Sequence, residues 1–341
     1  MINRHRLLFA IFAITAFVAA CTSANTDADN DPGTLILYSG RSESLIAPLI
    51  EQFSESTGIE VKVRYGNTAE LAATLMEEGE NSPADLFFAQ DPGGLGAVAS
   101  AGLLVELPQD ILNRVDQRFR STDNLWVGVS GRARVVVYNT ETVSLDELPD
   151  DLHGFTDPKW KGRIGLPPTN SSFQTMVTGM RNSWGEAATR AWLEGIMQNE
   201  PEFYEKNTPV VAAVGAGEVD IGFVNHYYLY RFLEEEGDNF PARNYFLPAG
   251  GPGSLVMAAG IAKLATGENE DNAIKFIEYL LSRDAQEYFA RETFEYPLIP
   301  NVEIHTDLIP LSDLLVNEIA AEDLADLQGT IKLLQDVGML P

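Results

Sequence analysis

What this chain has little of narrows its chemistry first. Of its 341 residues, one is cysteine and four are histidine. A single thiol closes no internal disulfide. If Cys21 is spent on a lipid, the folded body also has no cysteine nucleophile. Basic residues are scarce, 23 against 50 acidic ones, for a formal net charge of −27. Loss of Arg4 and Arg6 with a leader takes this to −29. Such a balance argues against nucleic acid or an anionic lipid surface as partner. It suits a solvated acidic surface, a saline habitat or weak attraction of cations. No G-x-S-x-G, H-E-x-x-H or G-x-x-x-x-G-K-[ST] occurs. Gly250, Gly251 and Gly253 have no lysine after them and read as a turn between strands. These absences point to a binding protein and not an enzyme.

Long apolar runs are also missing. The one at 7–20 follows Arg4, His5 and Arg6 and is shorter than the roughly 20 residues a spanning helix needs. It fits the core of a signal peptide. It ends in Val18-Ala19-Ala20-Cys21, which reads as a lipoprotein cleavage site. Residues 1–20 are then the leader, and Cys21 becomes the lipidated N-terminus. The alternative is ordinary secretion with an unused thiol. Residues 21–33, small, polar and acidic, read as a flexible tether. About 310 residues remain, long for one core and comfortable for two lobes.

Apolar alternation and helical spacing read β-α-β-α-β-α over the first hundred residues, the signature of a parallel sheet covered by helices. Ligands in such sheets sit beyond the strand C-termini, here at 39–42, 65–68 and 90–93. Asn67 and Glu70 have capping-box spacing. A second α/β unit starts near 135, with strands at 163–166 and 219–224 and helices at 171–182, 186–197, 210–215 and 225–237. A strand at 254–262, a helix over 272–290 and a helical tail from 308 follow. No internal repeat is present.

Seven segments, in order and spanning nearly the whole mature chain, resemble the bacterial ferric-ion-binding proteins. They are LYSGRSES, TGIEVKVRYG, EEGENSPADLFFAQD, VGVSGRARVVVYNT, DPKWKGRIGLPPTNSSF, YEKNTPVVAAVGAGEVDIGFVNHYYLYRF and FEYPLIP. The resemblance implies an α/β, two-lobed type II periplasmic-binding-protein fold with a central cleft and two crossover strands, near 134–138 and 246–254. The first lobe is expected to hold 34–134 and 251–305, the second 135–250 and 306–341. The implied function is capture of Fe(3+) in the cleft and delivery to an ABC transporter permease. The protein is expected to be a monomer in the periplasm or on the outer face of the cytoplasmic membrane, attached by its lipid alone.

The most specific segment is NHYY, whose adjacent tyrosines, Tyr227 and Tyr228, are by resemblance the iron ligands. Ferric iron is a hard cation that prefers anionic oxygen, and a bound metal favours the phenolate over a phenol that ionises near pH 10. Asn225 is expected to cap the helix that carries both tyrosines, with Asn225 and Asn207 also lining the cleft. The family's phosphate-using members have a histidine and a glutamate where this chain has Ser42 and Gln90, with Asp91 next. Tyr65, at a strand end, is the best further phenolate. Tyr38 and Tyr230 read as packing residues, and His153, His226 and His305 as surface or supporting histidines. Thr169, Asn170, Ser171 and Ser172 match the family's anion-binding turn, with Arg41 and Arg132 as charge partners. The expected anion is carbonate, with phosphate as the alternative. A polyamine ligand, walled by Asp91 and Trp126, would leave the paired tyrosines without a purpose.

Overall fold

Strand β1 (Thr34–Ser39) lies between β2 (Glu60–Tyr65) and β3 (Leu86–Ala89), parallel to both. Helix α1 (Glu43–Thr57) buries Leu45, Ile46, Leu49, Ile50 and Phe53 against this sheet, the stripe that i, i+3, i+4 spacing dictates. It ends where Gly58 takes a left-handed φ of 76° and its N–H bonds to Ser54. Helix α2 (Thr68–Glu78) opens on the Asn67–Glu70 capping box. Helix α3 (Pro92–Ser100) follows β3. The computed structural model describes residues 32–306, 308–314, 319 and 321–341. The expected leader, the lipidation of Cys21 and nearly all of the tether lie outside them.

A short strand β4 (Leu104–Val105) and helix α4 (Gln109–Leu112) lead to β5 (Trp126–Asn139), whose 14 residues are all buried. β5 pairs antiparallel with β10 (Val256–Leu264) as far as Ala133. From Arg134 it pairs instead with β8 (Ile221–Asn225) and, from Val136, with β9 (Ala242–Tyr245). One strand thus serves two groups of strands and changes partners between Ala133 and Arg134. The strand order is β2-β1-β3-β10-β5-β8-β6-β7, with β6 at Ile164–Leu166 and β7 at Glu202–Phe203; β11 (Tyr296–Pro297) pairs with β5. Helices α5 (Ser171–Trp184), α6 (Glu186–Gln198), α7 (Asn207–Ala216) and α8 (Tyr227–Glu236) surround the second group. There Phe223 meets Phe155 and Trp192 edge to face, at 5.2 and 5.8 Å between ring centres.

Three sequence expectations change. Asn225 ends β8 instead of capping α8, because its amide is taken by Arg134 and Ser172. The helix over 272–290 is two helices, α9 (Glu270–Leu280) and α10 (Arg283–Glu292), since Ser282 caps the second by accepting from Ala285 N–H. The tail contains short 3-10 turns before its one α-helix among the described residues, α11 (Leu327–Asp336), which sends Leu333 and Leu334 into the second core. Between β9 and β10 the chain turns at Gly250 and Gly251, both with positive φ.

Candidate functional site

The C-terminal ends of β1, β2 and β3 are drawn together by Thr68. Its hydroxyl accepts the Gln90 N–H at 3.0 Å. A methyl built on Gly40 would stand 2.1 Å from Thr68 Oγ1, and one on Gly94 would stand 2.2 Å from Thr68 Cγ2. Glycine at these two positions lets the loops close on Thr68. The result is one wall of a cavity of about 720 Å³, to which Arg41, Ser42, Tyr65 and Gln90 contribute. Thr169, Asn170 and Tyr228 line the same cavity.

Tyr227 and Tyr228 occupy the first turn of α8, fully and nine-tenths buried. Side chains of adjacent helical residues diverge by about 100°. Here the two rings nevertheless stack, with centres 4.2 Å apart. The hydroxyl of Tyr227 is buried and has no hydrogen-bond partner. Burial, and then the neighbouring Tyr227, push the Tyr228 phenol well above its usual range. Tyr65 is half-buried and is also raised, by burial and then by Glu43. Among the described residues, no group of three His, Cys, Asp or Glu side chains is placed to hold a metal.

His226 fixes where α8 begins. Its Nδ1 accepts the Ala133 N–H at 3.1 Å, so Nε2 carries the proton, donated to the Phe294 carbonyl at 2.7 Å. The ring lies on Tyr296, 4.8 Å between centres. Complete burial depresses its pKa to about 4, and the imidazole is neutral near pH 7. His226 is thus an interior clamp at the point where β5 changes partners. His153, by contrast, is exposed and stacks on Trp184, and the His305 ring packs on Phe294.

Behind the tyrosines lie three buried guanidinium groups. Arg41 forms a fully buried ion pair with Glu295. Burial would lower its pKa, but Glu295 and then Tyr227 and Tyr228 outweigh that and hold it above the ordinary value. Arg132 and Arg134, two apart on β5, leave the strand on one face. Arg132 Nη1 donates to Ser172 Oγ at 3.1 Å, and Arg134 Nη1 to Asn225 Oδ1 at 3.0 Å. Burial and then Arg132 lower the Arg134 pKa to about 9. Each of the three arginines keeps two nitrogens without a partner: Nε and Nη1 of Arg41, and Nε and Nη2 of Arg132 and Arg134.

Ser172 Oγ gathers donors from Arg132, from Gln90 Nε2 at 3.0 Å and from Asn225 Nδ2 at 3.1 Å. With two lone pairs so contested, its own proton is free to point elsewhere. Asn170 caps α5 by accepting the Ser172 N–H at 3.0 Å, and Asn207 Nδ2 donates to the same Asn170 oxygen at 3.3 Å. Asn207 Oδ1 has no partner. Thr169 is exposed, its hydroxyl on the Glu205 carbonyl, and Ser171 is half-buried. Asp91 is buried outside the cavity lining, with one carboxylate oxygen unpartnered.

The model of the bacterial extracellular solute-binding proteins matches residues 48–309. The chain belongs to that family. It is 34% identical, over 95% of its length and 98% of the relative's, to the major ferric iron-binding protein of Neisseria meningitidis serogroup B. Iron-bound HitA from Pseudomonas aeruginosa superposes with a TM-score of 0.86 at 31% identity, covering 90% of this chain and all of that one. A Trichodesmium protein solved with iron and citrate superposes at 0.77 and 31%, covering 90% and 99%. The family resemblance and the type II periplasmic-binding-protein fold expected from the sequence both hold. Extracellular solute-binding proteins serve transport, outside the cytoplasm, and are not an enzyme family.

Sequence reasoning missed Arg134, Glu295, the clamp at His226 and the junction at Thr68. Two of these had a signal. Arg132 and Arg134 stand at the period-2 spacing that puts both on one face of a strand. Glu295 lies within FEYPLIP, a segment already matched to the family. Nothing in the sequence marked Thr68 as the meeting point of three loops.

Proposed function

We propose that this protein captures ferric iron outside the cytoplasm and passes it to the permease of an ABC transporter. In this reading Tyr227, Tyr228 and Tyr65 bind the ion as phenolates. A co-bound anion, carbonate with phosphate as the alternative, completes the shell. Arg41, Arg132, Arg134, Ser172 and the 169–172 turn hold that anion. The first lobe (34–134 and 251–305) brings Arg41, Tyr65 and Gln90, and the second (135–250 and 306–341) brings the paired tyrosines and the turn. The lobes close over the ion, and Cys21 tethers the protein, a monomer, to the membrane.

One observation carries this reading: an unpartnered, buried tyrosine hydroxyl beside three buried arginines that keep six nitrogens unpartnered. Buried polar groups without partners are rare, and a cluster of them calls for a ligand. The donors in excess call for an anion, and phenolic oxygens suit a hard metal. A trivalent ion has the charge to ionise phenols that burial has made harder to ionise. The same guanidinium groups disfavour a polyamine, which would bring more positive charge into a cationic interior.

Protein purified without chelator tests this by its visible spectrum. Ferric phenolates give a charge-transfer band, which Tyr227→Phe and Tyr228→Phe should each weaken along with affinity. Titration in anion-depleted buffer, then with bicarbonate or phosphate restored, tests the anion. An unchanged ferric affinity in the double variant would overturn the site.

A further inference from the structure

The three buried arginines are not equivalent in charge. Arg41 alone has an ion-pair partner among the described residues, Glu295, and both side chains are completely buried. Arg132 and Arg134 are tied only to neutral groups, Ser172 and Asn225. Glu295 is therefore the one carboxylate paired with this cluster among the described residues. Its placement is over-determined. Its N–H bonds to Phe289 O at 2.9 Å, and Oε2 faces the Thr293 hydroxyl at 3.4 Å. The residue before it, Phe294, adopts a left-handed φ of 55°, uncommon for a bulky side chain. That turn is held by the His226 clamp on the Phe294 carbonyl and by stacking on Tyr230, 5.0 Å between ring centres. Strain kept in place by several contacts marks a position where side-chain direction matters.

We propose that Glu295 is the specificity-determining residue for the anion that accompanies iron. This rests on the function proposed above. By cancelling one guanidinium charge, Glu295 fixes how much negative charge the co-bound anion must supply. By engaging Arg41 through Nη2, it leaves Nε and Nη1 as the donors offered to that anion. With Glu295 present, the interior suits a small mono- or dianion such as bicarbonate, carbonate or phosphate. Without its charge, the interior suits an anion carrying one more negative charge, and the adjoining cavity of about 720 Å³, which Arg41 and Tyr228 line, has room for a tricarboxylate.

The test is ferric titration of the full chain, read by the charge-transfer band, with bicarbonate or with citrate as the only added anion. The quantity read is the ratio of iron affinities in the two. Glu295→Gln should move it toward citrate by about tenfold, the size expected of one unit charge roughly 12 Å away at an effective dielectric of about 20. Glu295→Asp keeps the charge and should leave the ratio near that of the parent, whatever it does to stability. If Glu295→Gln does not fold, Arg41→Gln/Glu295→Gln supplies the test. It keeps the net charge, so the ratio should stay parental while iron binds more weakly with either anion. An unchanged ratio in Glu295→Gln overturns the proposal. So do equal shifts in the Gln and Asp variants, which would indicate a merely structural role, or a shifted ratio in the double variant. A parent protein with no ferric band in any anion would instead overturn the proposed function itself, and this inference with it.

Discussion

Replacing Thr68 by valine should cost the metal-free protein about 2 kcal/mol, mostly from a single orphaned N–H. Thr68 is 2% exposed, and its hydroxyl is the acceptor for Gln90 N–H at 3.0 Å, in a place that water does not reach. Valine keeps the shape and the β-branching, so helix propensity at the first position of α2 hardly changes. What remains is a buried donor without an acceptor, worth about 1–3 kcal/mol. The methyl that replaces the oxygen also crowds Gly40, where a built Cβ would stand 2.1 Å from that oxygen. Thr68→Ser separates these effects. It retains the oxygen and removes only Cγ2, for about 1 kcal/mol. Urea melts of both variants against the parent decide the matter, with equal slopes required for the comparison. If serine were as costly as valine, the hydrogen bond would not be what holds the three loops. A related check is Gly94→Ala, whose methyl would fall 2.2 Å from Thr68 Cγ2. That variant should be strongly destabilised, and Thr68→Ser in the same chain should recover part of the loss, a non-additivity expected of touching residues.

Arg134→Met should stabilise the metal-free fold by roughly 1–3 kcal/mol, because burying an unpaired charge costs more than packing an apolar side chain of similar length. The same variant should weaken iron binding where an anion is required; thermal melts and ferric titration read the two effects. His226 gives the metal-free protein a pH dependence. Its folded pKa of about 4 lies below the ordinary 6.5, so the unfolded chain takes up the proton first. Stability is therefore full above pH 6.5 and falls by about 3 kcal/mol as pH drops toward 4, a slope that chemical denaturation of His226→Gln should lack. Cys21→Ser should release the protein from membranes or leave its leader uncleaved, with the ferric band intact, as fractionation and mass spectrometry would read.

Local pattern made the first β-α-β-α-β-α run legible. The capping box at Asn67, the stop at Gly58 and the apolar stripe of α1 are properties of a few consecutive residues, and the structure has all three. The reading of Asn225 failed because it, too, was local. Asparagine before a helix is a good cap in isolation, but Asn225 is in register with Arg134 across the strand pair, and a buried guanidinium claims its oxygen first. The same competition hid the site's charge. A pairing such as Arg41 with Glu295 joins residues 254 positions apart, and no spacing rule spans that distance.

The tyrosines were found from their neighbours in sequence, but what makes them a candidate site is remote from them. Ala133, on the strand that changes partners, and Phe294, beyond α10, fix His226 and so set the angle at which α8 presents both rings. Arg132 lies before that partner change and Arg134 beyond it, so the two guanidinium groups stand on either side of the point where the two groups of strands meet. The 293–296 segment touches the clamp with Phe294 and Tyr296 and touches Arg41 with Glu295. It thus connects the loop after β1 to the helix that carries Tyr227 and Tyr228. A ligand that satisfied the unpartnered arginine nitrogens and the Tyr227 hydroxyl together would tie both ends of that connection to one position.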